Sequence, residues 1–423
     1  MNNVAYRAAG LPSRFAAPLL AIAAFCALAV ALVAPPLAFA LLFSALAMMT
    51  RRTGLHTLWL FLACQSIFLT LNLSKVPDND WGWYSSHYYW LRHLPFDQYI
   101  GTRFGQFNIK ITEPVYYFMA SMLSKLSDGN LAVLVTAVTA IVYLPVCLIA
   151  SYFTKHLEDK PFVRLLVEWT VLLAGLSFTL TLHLIRQQVG GAILFMGVFL
   201  ALRGHLRWAI LFVLLSVFAH NSVGLPLALF TAVLVLSRWL SGKKLIVLSA
   251  GVGVLLGFAV LFLSIVLHYY SDGRSDGEIS ALTLFFDIFL LTAFVWTGRS
   301  QGVLNGKTGN VLTAFVVGYF AFLFILLPLP IPFLRMYFFM EYVRVILLVV
   351  LLGRVARPRQ AVLFVPLLLA VALALFSARL IRSPFVFGAG AFIEVFHPPW
   401  APVFENPLRQ RFLPKVVDWG TGK

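Results

Sequence analysis

Residues 245–268 read LIVLSAGVGVLLGFAVLFLSIVLH, a run that contains no Asp, Glu, Lys or Arg. Because an α-helix rises about 1.5 Å per residue, about 20 apolar residues are enough to cross the roughly 30 Å hydrocarbon core of a bilayer. Strands of a membrane barrel would instead alternate apolar and polar side chains, which this run does not do. The run is therefore predicted to be a transmembrane helix.

Similar runs recur from Phe15 to Ile381 with no soluble domain between them. Of the 423 residues, 61% are hydrophobic and only 11% are charged, whereas a soluble domain has about 25% charged residues. We therefore expect an all-α polytopic membrane protein with about 13 transmembrane helices, in a range of roughly 11 to 14. The predicted spans are residues 15–34, 36–50, 55–73, 131–153, 164–182, 187–203, 207–219, 221–237, 245–268, 281–297, 309–328, 331–353 and 361–379.

The basic residues predict the topology. The net charge of +16 is interpreted as cytoplasmic anchoring rather than nucleic-acid binding, since Lys and Arg collect in short loops that stay inside the cell. The positions of the basic residues place residues 74–130 on the extracytoplasmic side. Within this segment, residues 113–125 are too short to cross the membrane and are predicted to form a re-entrant or interfacial helix. Residues 1–382 would form the transmembrane bundle, and 383–423 an extracytoplasmic tail. Residues 38–40 resemble a signal-peptide cleavage site, but the further spans favour a retained first helix.

Two polar turns are predicted at the outer ends of helical hairpins. Residues 164–203 and 207–237 each begin and end with cytoplasmic charge, so each region must turn once, at its most polar point. One turn carries Arg186, whose planar guanidinium suits a phosphate or pyrophosphate, although it could also reach the lipid headgroups. The other carries His220, whose imidazole can accept a proton near neutral pH. Polar groups at membrane depth are candidates for function because they are costly there without partners.

A third polar region lies on the predicted span 331–353. Arg335 is near the outer end of this span, at the level of the two turns, and is a candidate ligand. Arg344 lies about 13 Å deeper along the helix. Glu341 can pair with Arg344 at spacing i,i+3, and such a pair is more readily explained as structural.

The extracytoplasmic loop is rich in aromatic residues, including Trp83, Tyr84 and Tyr88, and Asp80 lies beside them. These rings could form a platform for sugars, with carboxylates binding hydroxyl groups, or they could be an interfacial aromatic belt. Glu113 could serve as a catalytic carboxylate or could simply cap the helix that begins at Pro114. No Cys or His spacing indicates a metal site, so neither a metal nor another cofactor is expected.

The order of these elements resembles the EpsG-like branch of the Wzy-type polysaccharide polymerases. The resemblance is carried by Asp80 with Tyr84, Glu113-Pro114, Ile185-Arg186-Gln187, Ala219-His220-Asn221-Ser222 and Arg335-Met336-Tyr337. The chain departs from the family pattern in having Asp80-Trp81-Gly82-Trp83-Tyr84 for the usual Asp-Tyr start, and Gly190-Gly191 where Leu-Ala is commoner. These departures concern the sugar that is bound rather than the class of reaction.

The resemblance implies a GT-C-like fold in a bacterial inner membrane, with an active site that faces the periplasm. It implies a polymerase that joins repeat units carried on undecaprenyl pyrophosphate, with lipid-linked donor and acceptor as partners, membrane lipids around it and a chain-length regulator as a further candidate. His220 is the favoured base, and Glu113 or Asp80 is its rival. The expected pyrophosphate ligands are Arg186, Arg335, Gln187 and Arg344, and the expected sugar ligands are Tyr84, Trp83, Tyr88, Arg103 and Asn221.

Three alternatives stay open at this point. One is a transferase that takes a single sugar from a polyprenyl monophosphate, with Asp78 or Asp80 as its catalytic carboxylate. Another is an O-antigen ligase. The third, which is not an enzyme, is a flippase or other transporter of lipid-linked oligosaccharides, although the chain has no clear internal repeat of the kind that many transporters show.

Overall fold

The structure, a computed structural model, describes residues 35–73, 75, 79–95, 113–178, 180–266, 281–300, 307–356 and 361–381. Every regular element in these ranges is helical. The first predicted span, Asp78, Arg103 and the tail 383–423 lie outside the described residues.

Helices occupy each of the predicted spans from 36–50 onward. The α-helices of the described residues are α1 Pro35–Met49, α2 Thr53–Leu73, α3 Asn79–Leu91, α4 Pro114–Leu126, α5 Leu131–Phe153, α6 Pro161–Gly175, α7 Leu180–His183, α8 Ile185–Leu202, α9 Leu206–Ala219, α10 Gly224–Leu236, α11 Gly242–Val266, α12 Ala281–Ser300, α13 Lys307–Leu326, α14 Pro330–Tyr337, α15 Met340–Val355 and α16 Ala361–Ile381. The aromatic part of the segment 74–130, which we did not expect to be helical, forms α3.

Fewer of these helices qualify as full spans than the 13 expected. Within the described residues, four helices, α2, α5, α11 and α13, are long and apolar enough to cross a membrane, and a fifth is formed if α14 and α15, bent by 44°, count as one broken span. The hairpin arms account for much of the difference. Helix α9 has 14 residues, which reach only about 21 Å. Such arms are apolar but shorter than the roughly 30 Å hydrocarbon core of a bilayer.

A buried ionic cluster joins four of the first helices. The Glu168 carboxylate of α6 accepts hydrogen bonds from Arg164 Nε at 3.1 Å and from Thr154 Oγ1 at 2.7 Å, and it lies 2.8 Å from Nε2 of His56 on α2. The other ring nitrogen of His56 lies 2.9 Å from the carbonyl oxygen of Ala47. Because the charged groups are almost fully buried, each depends on the others to offset the loss of water.

Helices α11 and α13 pack unusually closely because glycines face each other. A Cβ atom built on Gly253 would lie 2.1 Å from the carbonyl oxygen of Gly318, and one on Gly257 would lie 2.6 Å from Ile325. Small residues of this kind let the backbones of membrane helices approach each other.

We expect the substitution Gly253→Ala to destabilise the folded protein by about 1–3 kcal/mol, the usual cost of overpacking a tight contact. The obstacle is a backbone carbonyl, which cannot rotate away, so the two helices must separate. Thermal unfolding of the purified protein in detergent measures the effect. Gly251→Ala on the same helix is the matched control, since a Cβ there meets nothing within 4 Å, and equal loss in both variants would contradict the prediction.

Candidate active site

The carboxylate of Glu113 is the centre of the polar site. Its Oε2 accepts a hydrogen bond from Nη1 of Arg186 at 2.7 Å, and its Oε1 lies 2.7 Å from Nδ1 of His220. The backbone N–H of Asn221 also donates to Oε1, at 3.2 Å. One buried side chain therefore joins the start of α4, the start of α8 and the turn after α9.

The local sequence explains why this carboxylate is available. Glu113 is the residue immediately before α4, and Pro114 at the first helical position fixes the direction in which the helix leaves. The side chain of Glu113 makes no capping hydrogen bond to the helix. Glu113 thus occupies the N-cap position of α4, but its side chain caps none of that helix's N–H groups, because both of its oxygens bind residues of other elements.

Arg186 is held in place by two tyrosines as well as by Glu113. Its Nε donates to the hydroxyl of Tyr84 at 2.9 Å, and its Nη1 donates to the hydroxyl of Tyr117 at 3.2 Å. Both rings also lie within 6 Å of the guanidinium carbon, at 5.8 and 5.9 Å, within the range of cation–π attraction. The arginine is thus oriented by contacts made through Nε and Nη1.

Arg186 and His220 each leave one nitrogen available to a ligand. Within the described part of the chain, neither Nη2 of Arg186 nor Nε2 of His220 has a hydrogen-bond partner, and both side chains are slightly exposed, at 14% and 17%. The hydroxyl of Ser222, two residues after His220, is buried and likewise unpartnered among these residues. An anion and a hydroxyl group could therefore bind here without displacing the protein's own contacts.

Charge stabilises the ionised form of Glu113. Burial by itself would raise the pKa of this carboxyl group, but the hydrogen bond from His220, the charge of Arg186 and the backbone N–H of Asn221 together lower the pKa below its usual value. Burial raises the pKa of Tyr84 and of Tyr117, so their hydroxyls stay protonated. An ionised carboxylate can only accept hydrogen bonds, so His220 must donate from Nδ1 and, when neutral, carries its lone pair on Nε2.

The structure brings some of the expected sugar ligands to this site. Trp83 packs edge-on against Tyr84, with ring centroids 5.1 Å apart, and so lies next to the tyrosine that contacts Arg186. Asp80, one turn earlier on α3, is exposed at the start of that helix. Tyr88 is placed differently, since it is buried and its hydroxyl lies 2.9 Å from that of Ser127. Tyr88 therefore joins α3 to the end of α4.

The expected pyrophosphate ligands separate into two groups. Gln187, next to Arg186, donates through its amide to the backbone carbonyl of Arg335, which ties the start of α8 to α14. Arg335 itself is exposed. Arg344 is buried, and Asp287 accepts from its Nε at 2.6 Å and its Nη2 at 2.8 Å. The charge of Arg344 is thus balanced within the protein by a carboxylate of α12.

The partner of Arg344 differs from the one the sequence suggested. We expected Glu341, three residues earlier, whereas the carboxylate that binds the guanidinium at both oxygens comes from Asp287. Glu341 accepts a hydrogen bond from Gln188 at 3.1 Å. Asp287 could have been noticed as the single carboxylate in the predicted span 281–297, and Tyr117 as the residue one turn after Glu113 on the same helix.

Gly190 explains how the two turns approach each other. A Cβ built on this residue of α8 would lie 2.9 Å from Cβ of His220 and 3.0 Å from Val223. Gly190, the first of the two glycines that depart from the family pattern, therefore allows α8 to lie directly against the turn that carries His220.

Apolar helices surround the ionic cluster of Arg186, Glu113 and His220. The chain is therefore a helical membrane protein with a buried ionic site. The model of the EpsG family matches residues 57–392, which include the whole of this cluster, so the chain belongs to the EpsG family, as the sequence resemblance predicted. It is a polysaccharide-polymerase-like membrane protein. No curated protein and no solved structure matches the chain.

Proposed function

We propose that this protein is a polysaccharide polymerase of the periplasmic face of a bacterial inner membrane. It transfers a growing glycan from undecaprenyl pyrophosphate to a sugar hydroxyl of an incoming lipid-linked repeat unit. The observation that carries the proposal is the single carboxylate of Glu113, which bridges Arg186 and His220. It supports a site that has positive charge for a leaving pyrophosphate and a base for a hydroxyl group.

The reaction requires one bond to form and one to break. The acceptor hydroxyl oxygen attacks the anomeric carbon of the donor glycan, and the bond from that carbon to the pyrophosphate oxygen breaks, with its electron pair leaving on the pyrophosphate. Nε2 of His220 takes the hydroxyl proton. Nη2 of Arg186, with Arg335 nearby, balances the charge that develops on the leaving group.

His220 is a better base than Glu113 in this arrangement. Both oxygens of Glu113 are already bonded, and its lowered pKa makes the carboxylate a weaker proton acceptor. Its role is to orient His220 through Nδ1 and to hold Arg186. Asp80 is exposed and stays the rival base.

The proposal also covers the residues that would bind sugar, the fold class and the side of the membrane that the site faces. Trp83, Tyr84 and Asn221 border the cluster and would contact the acceptor sugar, and Arg103 stays a further candidate. Tyr88 is buried and would support α3 from behind. The distribution of basic residues supports a position of this face outside the cytoplasm. A GT-C-like bundle with more spans than the four or five full-length ones is part of the proposal. A chain-length regulator would act from the same side.

The function is tested with purified protein in proteoliposomes supplied with lipid-linked repeat units. We expect a ladder of products that grows by one repeat at a time, with one undecaprenyl pyrophosphate released per linkage, and no requirement for added metal. Three other outcomes would each overturn the proposal in favour of another function. They are the addition of one sugar from a polyprenyl monophosphate, transfer only to lipid A core, and lipid movement across the bilayer without new linkages.

A further inference from the structure

The span formed by α14 and α15 is bent by 44°, and Arg335 lies two residues before the end of α14. The carbonyl groups in the last turn of a helix have no partners farther along that helix. Inside a membrane protein such groups must find partners on other elements. The residues that supply these partners therefore also fix the turn that carries Arg335.

Two other helices bind the carbonyl groups of this turn. The amide of Gln187 on α8 donates to the carbonyl oxygen of Arg335, and the hydroxyl of Tyr319 on α13 donates to that of Met336 at 2.6 Å. Gln187 directly follows Arg186 in the sequence. The backbone of Arg335 is therefore only one side-chain length away from the residue next to the arginine of the ionic site.

A buried carboxylate joins the two sides of the bend. Oδ2 of Asp287, on α12, accepts a hydrogen bond from the hydroxyl of Tyr337, the last residue of α14. The same carboxylate accepts from Nε and Nη2 of Arg344 on α15, at 2.6 and 2.8 Å. The three residues are 6% exposed or less, so water has little access to these bonds. Asp287 thus fixes the direction of α14 relative to α15.

We infer that Tyr337, Asp287 and Arg344 form a brace that holds Arg335 in position for the leaving pyrophosphate. The inference rests on the proposed function and gives Arg344, which the sequence suggested as a pyrophosphate ligand, a positioning role instead. Tyr337 is the residue that connects the brace to α14. Without its hydroxyl, the last turn of α14 is free to tilt at the bend, and the guanidinium of Arg335 moves while its charge stays the same.

Tyr337→Phe tests the brace, because it removes one hydroxyl and leaves the ion pair of Asp287 and Arg344 whole. We expect kcat/KM of polymerisation to fall about tenfold in the otherwise wild-type protein, but to change by less than about twofold in a protein that already carries Arg335→Gln, since residues that act through one another have non-additive effects. The same loss in both backgrounds, or no loss in either, overturns the inference.

The matched control is Tyr152→Phe on α5. This change also removes one hydroxyl, from a ring whose contacts with Phe153 and Phe199 do not need it. The control should keep the wild-type kcat/KM. A loss equal to that of Tyr337→Phe would attribute the effect to a general loosening of the bundle and would overturn the inference.

Amide hydrogen exchange of the purified protein measures the brace without any substrate. In Tyr337→Phe we expect peptides that cover residues 330–337 to exchange about fivefold faster or more, while those that cover residues 343–355 keep the wild-type rate, because only the local opening of α14 becomes easier. Unchanged exchange of residues 330–337 overturns the inference. Absence of polymer from the wild-type protein would instead contradict the proposed function.

Discussion

Glu113→Gln is expected to reduce the kcat of polymerisation by about 10²–10⁴, with a smaller change in KM. The amide can satisfy Arg186 only through its oxygen, so its NH₂ group must face Nδ1 of His220. That nitrogen then accepts a hydrogen bond, and the ring proton moves to Nε2, the atom that should take the proton from the acceptor. A comparable Asp-to-Asn change next to the histidine of serine proteases lowers kcat by about 10⁴ for the same reason.

The control for this variant is Asp128→Asn. Asp128 lies after α4, its side chain is 85% exposed, and its backbone φ of 50° is one that Asn also adopts readily. The control should retain wild-type kcat, and both variants should keep the wild-type unfolding temperature within a few degrees. A Glu113→Gln variant that polymerises at the normal rate would show that His220 does not need this carboxylate.

The variant His220→Ala tests whether the base is His220 or one of the two carboxylates, Glu113 and Asp80. With Glu113 and Asp80 intact, we expect kcat to fall by about 10²–10⁴, the usual contribution of a positioned general base. Added imidazole should restore part of the rate, since it can enter the space that the side chain leaves. Unchanged activity would assign the proton transfer to one of the two carboxylates, Glu113 or Asp80.

Arg186→Lys is expected to lower kcat/KM by about 10²–10³, the loss seen when one donor to a developing negative charge is removed. A lysine carries its three N–H donors on one nitrogen, so a lysine held by Glu113 cannot also place a donor where Nη2 of Arg186 faces the pyrophosphate. The charge is kept, so Glu113 remains paired. Arg186→Ala is less informative, because leaving a buried carboxylate unpaired costs about 3–5 kcal/mol in stability.

The rate of undecaprenyl pyrophosphate release measures this effect directly. Arg203→Lys is the matched control, since Arg203 is an exposed arginine at the other end of α8, about 25 Å away. If kcat/KM fell equally in both variants, the cause would be a disturbance of α8 and not weaker stabilisation of the leaving pyrophosphate.

Much of this site could be predicted from the sequence. Arg186 and His220 were found because polar residues in apolar runs are costly, and the alternation of basic loops assigned both to turns on the same side. The prediction that these turns meet depended on that topology alone, and the structure does bring the two residues together on Glu113. The i,i+4 spacing of Asp80 and Tyr84 was likewise visible, although the helix α3 that contains them was not.

Other features could not be predicted from local patterns. The pairing of Arg344 with Asp287 joins residues 57 positions apart, and nothing in the spacing of either residue indicates the other. The use of Tyr117 by Arg186 and the exposure of Arg335 depend on how α4, α8 and α14 pack. The number of full spans also differed, because the length of an apolar run does not show where a helix breaks or bends.

The sequence by itself determined that this chain is a helical membrane protein, where most of its helices lie and which charged residues interrupt them. These follow from hydropathy, which is local, and from the high cost of placing charge in hydrocarbon. Only the tertiary structure decided which charges meet, since Glu113 reaches Arg186 across 73 residues and His220 across 107. Contacts at such separations depend on the packing of several helices, including the close approach that Gly190 permits.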